Sequence, residues 1–248
     1  MKLAGIYAIW QREMLTFFRE KPRIVSAVIN PLFWLVTFGI GLGATVNIAG
    51  VNYEQYIFPG ILVQTFLFTS IFYGAYLVWD RRIDLLKAVL VTPLSRSSIF
   101  LGKVLGGVTF SIIEATIILL FGLAININYT PISIALTFVT VIIAAAGLTA
   151  VGLAIGSLMT SPEGFQLITT FVIFPLFFLS GALFPLNNLP SYLTALTIAN
   201  PLTYIVDSLR SLLVGLQYFN TIENILIMLA FAAIANLIGI VSFRRMRA

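Results

Sequence analysis

The sequence contains neither cysteine nor histidine. Without cysteine the chain can form no disulfide, no thiolate nucleophile and no thiolate metal site. Without histidine it lacks the commonest general base and the commonest metal ligand. Only nine acidic residues remain for such chemistry. We therefore predict no catalytic residue, no cofactor site and no metal site in this chain.

Charged residues are also scarce, at 9% of the chain against 60% hydrophobic residues. An ordinary soluble domain has roughly 25% charged residues, so this composition excludes a water-soluble globule. It excludes a disordered chain as well, because disorder requires low hydrophobicity. The apolar stretches are continuous rather than alternating, which favours an all-α polytopic membrane protein over a membrane β-barrel.

Long uncharged stretches predict where the chain crosses the membrane. A helix needs about 20 residues to cross a hydrocarbon core of about 30 Å. The longest uncharged stretch is divided by the turn-rich residues 126–131. The sequence thus predicts one transmembrane domain, 1–248, with six membrane-spanning helices at 24–46, 57–79, 104–125, 132–158, 165–184 and 222–243.

The basic residues predict the orientation of these helices. All lysines and arginines except Arg210 lie in residues 1–23, in the loop 80–103 or at the C-terminus. With six spans these three segments share one side, which the positive-inside rule makes cytoplasmic. We therefore predict a multi-pass protein of the cell (inner) membrane with both termini in the cytoplasm. The net charge of +5 is placed to meet anionic lipid, and we expect no nucleic-acid partner.

Residues 1–23 are predicted to form an amphipathic interface helix. The apolar residues recur at spacings of three and four, which places them on one helical face: Leu3, Ile6, Tyr7, Trp10, Met14, Phe17 and Phe18. Charged and polar residues fill much of the other face, so the helix suits the surface of the inner leaflet. Two interpretations remain open, a simple anchor and an additional contact with a cytoplasmic partner.

The loop 80–103 is the only sizeable cytoplasmic loop between the predicted spans. Its first part, 82–91, predicts a short amphipathic helix, because Ile83, Leu86, Val89 and Leu90 share one face. Thr92-Pro93 ends this helix, since the residue before proline avoids the α conformation. Such a helix suits docking to a soluble partner, and a connector on the membrane surface is the alternative interpretation.

The outer segment 185–221 is apolar but contains many helix-breaking residues. It predicts two helices, 190–199 and 201–214, that are too short to cross the membrane. Re-entrant backbone of this kind is tolerated where protein surrounds it or where it lines a cavity, so we predict an outer gate. We expect Asp207 and Arg210, three residues apart, to form an ion pair. The candidate gate residues are Pro185, Pro190, Asn200, Pro201, Tyr204, Asp207 and Arg210.

Glu114 is the only ionisable residue deep within a predicted span. A central acidic residue costs about 2.5–3.5 kcal/mol on insertion scales, so it should face the helix bundle or a wet cavity. It either lines a substrate path or hinge, or it is a packing residue hydrogen-bonded to Ser111, Thr109 or another helix.

Several of these segments together resemble the ABC type-2 permease family, which includes exporters of drugs, lipo-oligosaccharides and polysaccharides. The residues that carry the resemblance are Asn30-Pro31-Leu32-Phe33-Trp34, the loop 90–96, Gly102-Lys103, the run 180–190, and Asn200-Pro201-Leu202-Thr203-Tyr204 followed by Asp207 and Arg210. The resemblance covers essentially the whole chain. The Thr92-Pro93-Leu94-Ser95-Arg96 form of the loop is more similar to antibiotic-resistance and lipo-oligosaccharide exporters than to O-antigen exporters.

The resemblance implies an exporter that moves an amphiphilic substrate outward from the cytoplasm or inner leaflet. It implies two separate ABC ATPase chains, which hold ATP and Mg²⁺, and a second permease chain, identical or closely paired. The chain itself has no complete Walker A motif, because its only Gly-Lys pair, Gly102-Lys103, lacks the preceding glycine. The implied ATPase-coupling residues are Arg82, Asp84, Leu86, Lys87, Thr92 and Pro93.

Two other classes of protein remain as alternatives. A secondary transporter or channel could share the six spans, but it would need no docking helix and no ATPase. A membrane enzyme would need polar groups clustered at one interface, which this sequence lacks. A neighbouring gene for an ATPase would distinguish the exporter from the other two.

Overall fold

The computed structural model describes residues 2–43, 47–48, 50–90, 92–187 and 189–246. Within these ranges the description omits the side chains of Lys2, Arg23, Ile24, Ala27, Val28, Ile40, Leu42, Lys87, Ala88 and Leu90. The described chain is almost wholly helical. Its helices are α1 (Lys2–Arg19), α2 (Lys21–Trp34), α3 (Gly41–Gly43), α4 (Tyr53–Arg82), α5 (Leu85–Leu90), α6 (Arg96–Gly122), α7 (Pro131–Leu158), α8 (Pro162–Ile168), α9 (Phe174–Phe178), α10 (Ser191–Ala199), α11 (Pro201–Val214) and α12 (Thr221–Arg245).

Short turns of other helix types extend three of these elements. A π-helical turn, Leu35–Ile40, joins α2 to α3, and a second one, Thr169–Ile173, joins α8 to α9. A 3-10 turn, Leu123–Ile125, continues α6. The chain therefore has continuous helical runs over 21–43 and 162–178.

Four of the described helices are long and apolar enough to cross a membrane. They are Tyr53–Arg82, Arg96–Ile125, Pro131–Leu158 and Thr221–Arg245. Helix α4 extends to Arg82, beyond the end of its predicted span, and α6 begins at Arg96, before the start of its predicted span. The predicted spans are shorter because they were placed on uncharged stretches, which stop at charged residues such as arginine. The protein is thus an α-helical membrane protein.

The predicted first span, as far as residue 43, and the first part of the predicted fifth span fall on the two helical runs that contain π-helical turns. The end of the first span, 44–46, lies outside the described residues. The second run begins at Pro162 and ends at Phe178, six residues before the predicted end of the span at 184. The chain turns there because Gly181 adopts a φ of 74°, a left-handed conformation that ends a helix.

A small β-hairpin, which the sequence did not predict, interrupts the otherwise helical chain. Strands β1 (Asn47–Ile48) and β2 (Val51–Asn52) pair antiparallel, with Asn47 opposite Asn52. The turn between them contains Gly50 at a φ of 85°, which glycine adopts without steric cost. The hairpin leads directly into α4.

Helix α4 is the centre of the fold, and most of its residues are buried. One hydrophobic cluster packs α4 against α7 and α11. A second cluster, towards the C-terminal end of α4, joins it to α1, α5 and α6. Helix α12 packs along α7 but leaves many apolar side chains exposed, as expected for a helix that faces lipid.

Helix α1 packs along α6. Leu3 and Tyr7 of the predicted apolar face are 82% and 60% exposed, whereas Ile9, which was not assigned to that face, is buried with Phe17. Ile9 fits there because Gly102 has no side chain, and an added Cβ would lie 2.6 Å from the Cβ of Ile9. The exposed apolar residues of α1 leave a contact with the inner leaflet as a prediction.

Glycines allow α7 to approach α4 at backbone distance. A Cβ added at Gly74 or at Gly152 would collide with a backbone carbonyl oxygen of the facing helix, that of Gly152 or that of Ile71. Small residues at such crossings increase van der Waals contact between membrane helices, where no hydrophobic driving force holds the helices together.

We predict that Gly152→Ala destabilises the protein, because neither backbone can yield without moving a buried helix. The expected loss is about 1–3 kcal/mol, or failure to fold. Gly41→Ala is the matched control, since no atom lies within 4 Å of the position of its added Cβ. The thermal midpoint of both variants in detergent checks this, and equal midpoints would contradict the crossing described here.

Candidate functional site

The end of α4 and the following α5 lie on the side that the basic residues predict to be cytoplasmic. They form a segment called here the cytoplasmic tip, residues 82–90 and 92–93. The turn between the helices contains Asp84 at a φ of 58°, an unusual conformation for a residue other than glycine. Ile83 is 64% exposed and Leu85 is 42% exposed, although both are apolar. The tip therefore presents an apolar surface at the end of the predicted coupling helix.

Leu86, in contrast, is buried at 1% exposure within the chain's own second hydrophobic cluster. The prediction that Leu86 belongs to the docking face is therefore corrected. The periodicity identified an amphipathic helix, but the buried face packs against this chain, and Ile83 and Leu85 are the exposed apolar residues. Thr92 and Pro93 are exposed, and the side chain of Lys87 lies outside the described residues.

Arginines at this end of the molecule bind other helix ends. Arg81 donates to the carbonyl oxygens of Met159, at 2.8 Å, and Ser157, at 3.1 Å, where α7 ends. Arg82 pairs with the exposed Glu163 at 3.4 Å and lies over the ring of Trp79. A backbone hydrogen bond, followed by the charge of Arg82, lowers the pKa of Glu163. The Glu163 carboxylate is thus charged at neutral pH.

A buried charged cluster, which the sequence analysis did not predict, lies next to the tip. The Nζ atom of Lys103 is 3.0 Å from Oε1 of Glu13 and 3.2 Å from Oδ2 of Asp80. Arg12 completes the cluster, 3.5 Å from Glu13 and 3.7 Å from Asp80. A usable signal existed for part of it, because Asp80 directly follows the predicted span 57–79 and Lys103 directly precedes the predicted span 104–125, so both lie at the same side of an antiparallel pair.

A cleft of ≈ 400 Å³ opens between α2 and one face of α4. Its walls combine aromatic rings with hydroxyl and amide groups, and the lining side chains include Ser26, Asn30, Gln64, Thr65, Phe68, Thr69, Phe72 and Tyr76. A second cavity of ≈ 590 Å³ shares Phe72 and Tyr76 and extends to Trp79 and Glu163. The two cavities follow the same face of α4 towards its cytoplasmic end.

Glu114 lies behind the wall of this cleft. Its Oε1 atom accepts a hydrogen bond of 2.8 Å from Oγ1 of Thr69, which lines the cleft, and the residue is only 2% exposed. The other two candidate partners are engaged elsewhere: Ser111 with Ser70, and Thr109 with the indole N–H of Trp10. The partner named here is therefore on another helix, and Glu114 reaches the cleft through Thr69.

In the outer segment, α11 is buried and α10 is largely exposed. Asn200 begins α11, accepting a hydrogen bond from the backbone N–H of Leu202. Pro201 occupies the first helical position, where its missing N–H costs nothing. Tyr204 donates to the carbonyl oxygen of Ile198 at 2.8 Å. Pro190 precedes α10 and is exposed, and Pro185 is half-buried.

Asp207 and Arg210 do not form the expected ion pair among the described residues. Asp207 accepts hydrogen bonds from the backbone N–H groups of Tyr218 and Phe219, at 2.8 and 3.0 Å, and from Asn224. Asp207 thus binds backbone groups of the connection between α11 and α12, and Arg210 binds those of the connection between α9 and α10. Helix α11 is therefore held to both connections.

Arg210 binds the connection on the other side of α11. Its Nη2 atom donates to the carbonyl oxygen of Gly181 at 2.7 Å, and its guanidinium lies 4.1 Å from the ring centre of Tyr56. The spacing of three predicted mutual contact on a helix, but uncapped backbone groups nearby compete for both charges.

Residues 4–214 match the sequence profile of the family described as ABC-2 type transporter. The chain therefore belongs to the ABC-2 type transporter family. The match confirms the resemblance drawn from the motif residues, and it identifies the protein as a membrane transport permease.

Two of the following three similar proteins carry permease names. The permease is 31% identical over 214 residues to the "Putative transport permease ycf38" of Cyanophora paradoxa, covering 84% of this chain and 73% of that one. It is 26% identical over 244 residues to "Nodulation protein J" of Rhizobium leguminosarum bv. viciae, covering 96% and 93%. It is 25% identical over 224 residues to "Inner membrane transport permease YadH" of Escherichia coli (strain K12), covering 86% and 84%.

Because Asp207 and Arg210 bind separate loops, we predict that their effects on stability are only weakly coupled. The interaction energy of Asp207→Asn with Arg210→Gln should be smaller than that of two charged groups in direct contact. Unfolding of the two single variants and the double variant in detergent measures it. The matched control is the directly paired Lys103→Met with Glu13→Gln, whose effects should not add. A comparable non-additivity for Asp207 and Arg210 would restore the ion pair.

Proposed function

We propose that this permease is the membrane subunit of an ATP-driven exporter, working with two ABC ATPase chains and a second, identical permease chain. ATP and Mg²⁺ are expected on the ATPase chains. The observation that carries the proposal is the cytoplasmic tip, where exposed Ile83 and Leu85 stand beside the charged residues Arg82 and Asp84.

The tip has the character of a protein-docking surface. Two exposed apolar side chains at the end of a membrane helix gain free energy when a partner covers them. The flanking charges provide orientation, since rim charges steer and align a partner more than they add affinity. For a permease without a P-loop of its own, a soluble ATPase is the partner that fits.

Contacts at the helix ends support six membrane crossings. Arg81 ties the end of α7 to the end of α4, and the hydroxyl of Tyr53, at the opposite end of α4, donates to the carbonyl oxygen of Leu183. The chain therefore passes from one end of the bundle to the other between 159 and 183. Its helical run, 162–178, is about 26 Å long at 1.5 Å per residue.

The first crossing follows from similar contacts. Glu13 of α1 lies beside Asp80 at the cytoplasmic end of α4, and Gly39 packs against Glu54 at the other end. The run 21–43 between them is about 34 Å long. Six crossings with the basic segments inside put both termini in the cytoplasm.

The cleft along α4 is the proposed substrate path. Aromatic rings provide apolar contact area, and the hydroxyl and amide groups provide orientation, a combination that suits an amphiphilic substrate. The open side of the cleft would face the second permease, so that two copies enclose a path leading outward. Glu114 would set the position of Thr69 in its wall.

The outer segment is the proposed gate, with unequal roles for its two helices. Helix α11 is anchored by Asp207 and Arg210 and is surrounded by protein, so it serves as the fixed part. Helix α10 exposes Tyr192 and Leu196, at 67% and 53%, and its described contacts to the rest of the chain lie near its C-terminal end, at Thr197 and Ile198, so it serves as the movable part. ATP can open such a gate only through a difference in its affinity for two states of the complex.

We predict that Ile83→Asp abolishes docking of the ATPase, because it places a charge where the partner's apolar surface must be covered. An ABC ATPase should no longer copurify with the variant, and ATP hydrolysis should lose its stimulation by the permease. Ile83→Val, which keeps the surface apolar, is the control. Undiminished copurification of the ATPase with Ile83→Asp would contradict the assignment of the tip as the docking surface. Absence of any ATPase from the purified native permease would favour the alternative, a secondary transporter or channel.

We also predict that Ser26→Cys is accessible from water, because Ser26 is exposed and lines the cleft. The native chain has no cysteine, so a charged maleimide reports this position alone. The matched control is Leu237→Cys on α12, which is 65% exposed but faces lipid. We expect labelling of the cleft position at least about tenfold faster, since a charged reagent enters hydrocarbon poorly. Equal rates would exclude a water-filled path there.

A further inference from the structure

We propose that Lys103 is a positioning residue, which locks the interface helix α1 to the two helices that flank the cytoplasmic tip. This inference rests on the proposed function, since it assigns the route by which movement at the tip reaches the membrane helices. Three elements meet at its ammonium group: α1 through Glu13, α4 through Asp80, and α6, which carries Lys103 itself.

Lys103 connects the two ends of the segment that contains the tip. Asp80 stands just before the turn into α5, and Lys103 stands within the first turns of α6, so their contact of 3.2 Å joins the two ends of the segment 81–102. Arg12 contacts Asp80 as well, which adds a second link from α1 to the same point. The two positive and two negative groups of the cluster leave it with no net charge.

Packing around the cluster brings α1 close enough for these contacts. An added Cβ at Gly106 would lie 2.9 Å from the hydroxyl of Tyr73 and 3.1 Å from the Cβ of Glu13, so glycine makes the space that Glu13 occupies. Further along, the ring of Phe17 stacks on that of Phe110 with 3.8 Å between centres. Helix α1 is thus fitted against α6 over most of its length.

The tip also packs against α1, next to the charged cluster. Leu86 and Val89 of α5 belong to one hydrophobic cluster with Ile9 and Phe17 of α1. Apolar contacts of this kind allow side chains to slide, whereas an ammonium group held by two carboxylates has a defined position. With the charges in place, α1, α5 and the adjoining ends of α4 and α6 move as one body.

Stability alone is a poor reason for such a cluster. Lys103 is 1% exposed, and removing charges from water costs about as much as their attraction returns. A charge-free replacement of similar volume is therefore often as stable as the ion pairs it replaces. A variant without the charges can separate a positioning role from a purely structural one.

The test uses the triple variant Glu13→Gln, Asp80→Asn and Lys103→Met. Spin labels at Tyr7→Cys on α1 and Leu158→Cys at the end of α7 report the position of α1 against the bundle, in the permease alone, in nanodiscs. We expect one narrow distance distribution for the native cluster and a broadened one for the triple variant. Glu223→Gln, which removes a charge at the far end of α12, should leave the distribution narrow.

The second measurement is ATP hydrolysis by the assembled complex. If the charged cluster transmits movement from the tip to the membrane helices, the triple variant should still bind the ATPase, and the permease's stimulation of hydrolysis should fall by about 5-fold or more. Lys103→Arg should retain most of the stimulation. An unchanged distance distribution, or unchanged stimulation despite a broadened distribution, overturns the inference.

A charge exchange covers the case in which the triple variant does not fold. Lys103→Glu alone gathers three carboxylates and should loosen α1, while adding Glu13→Lys restores two charges of each sign and should narrow the distribution again. Failure of this rescue counts against the inference. The label measurements need no ATPase, so absence of an ATPase partner for the native permease would refute the proposed function without affecting them.

Discussion

The close approach of α4 and α7 is the constraint on which the rest of the structure depends. Lipid offers no hydrophobic driving force between helices, so the central helix must be held by contact alone. Gly74 and Gly152 bring the two backbones together, and α4 can then be enclosed by α6, α7 and α11. Three of the features with proposed roles lie along this enclosed helix: the contact of Arg210 with Tyr56, the cleft, and the tip at its C-terminal end.

The arginines have a second role beyond setting orientation. Arg81 binds the last carbonyl groups of α7, Arg96 binds those of α12, and Arg210 binds those that follow α9. Each of these groups lacks a partner within its own helix and would otherwise need water or another donor. A charge count along the sequence predicts which side is cytoplasmic, but it cannot show that single arginines are committed to particular helix ends.

Local pattern was sufficient to predict the helices but not their faces. Uncharged stretches and proline positions predicted helices where α4, α6, α7, α10, α11 and α12 occur. The contact face of α1, the burial of Leu86 and the separate partners of Asp207 and Arg210 all depend on which helix lies opposite. Residues distant in the sequence determine which face of a helix is buried, as Gly102 does for Ile9. The periodicity of a single helix therefore cannot predict its buried face. The charged cluster around Lys103 was missed because Glu13, which completes it, is distant from Lys103 in the sequence.

The two π-helical turns have a consequence for the tolerance of the chain to change in length. A π turn holds one residue more than the α-helical ladder requires. A residue lost from Leu35–Ile40 or Thr169–Ile173 would let that turn revert to an α turn, with the helix on either side keeping its face. The same loss within α4 would rotate all that follows by about 100°. The helical runs with π turns can thus lose one residue without a change of face, whereas the central helix α4 cannot.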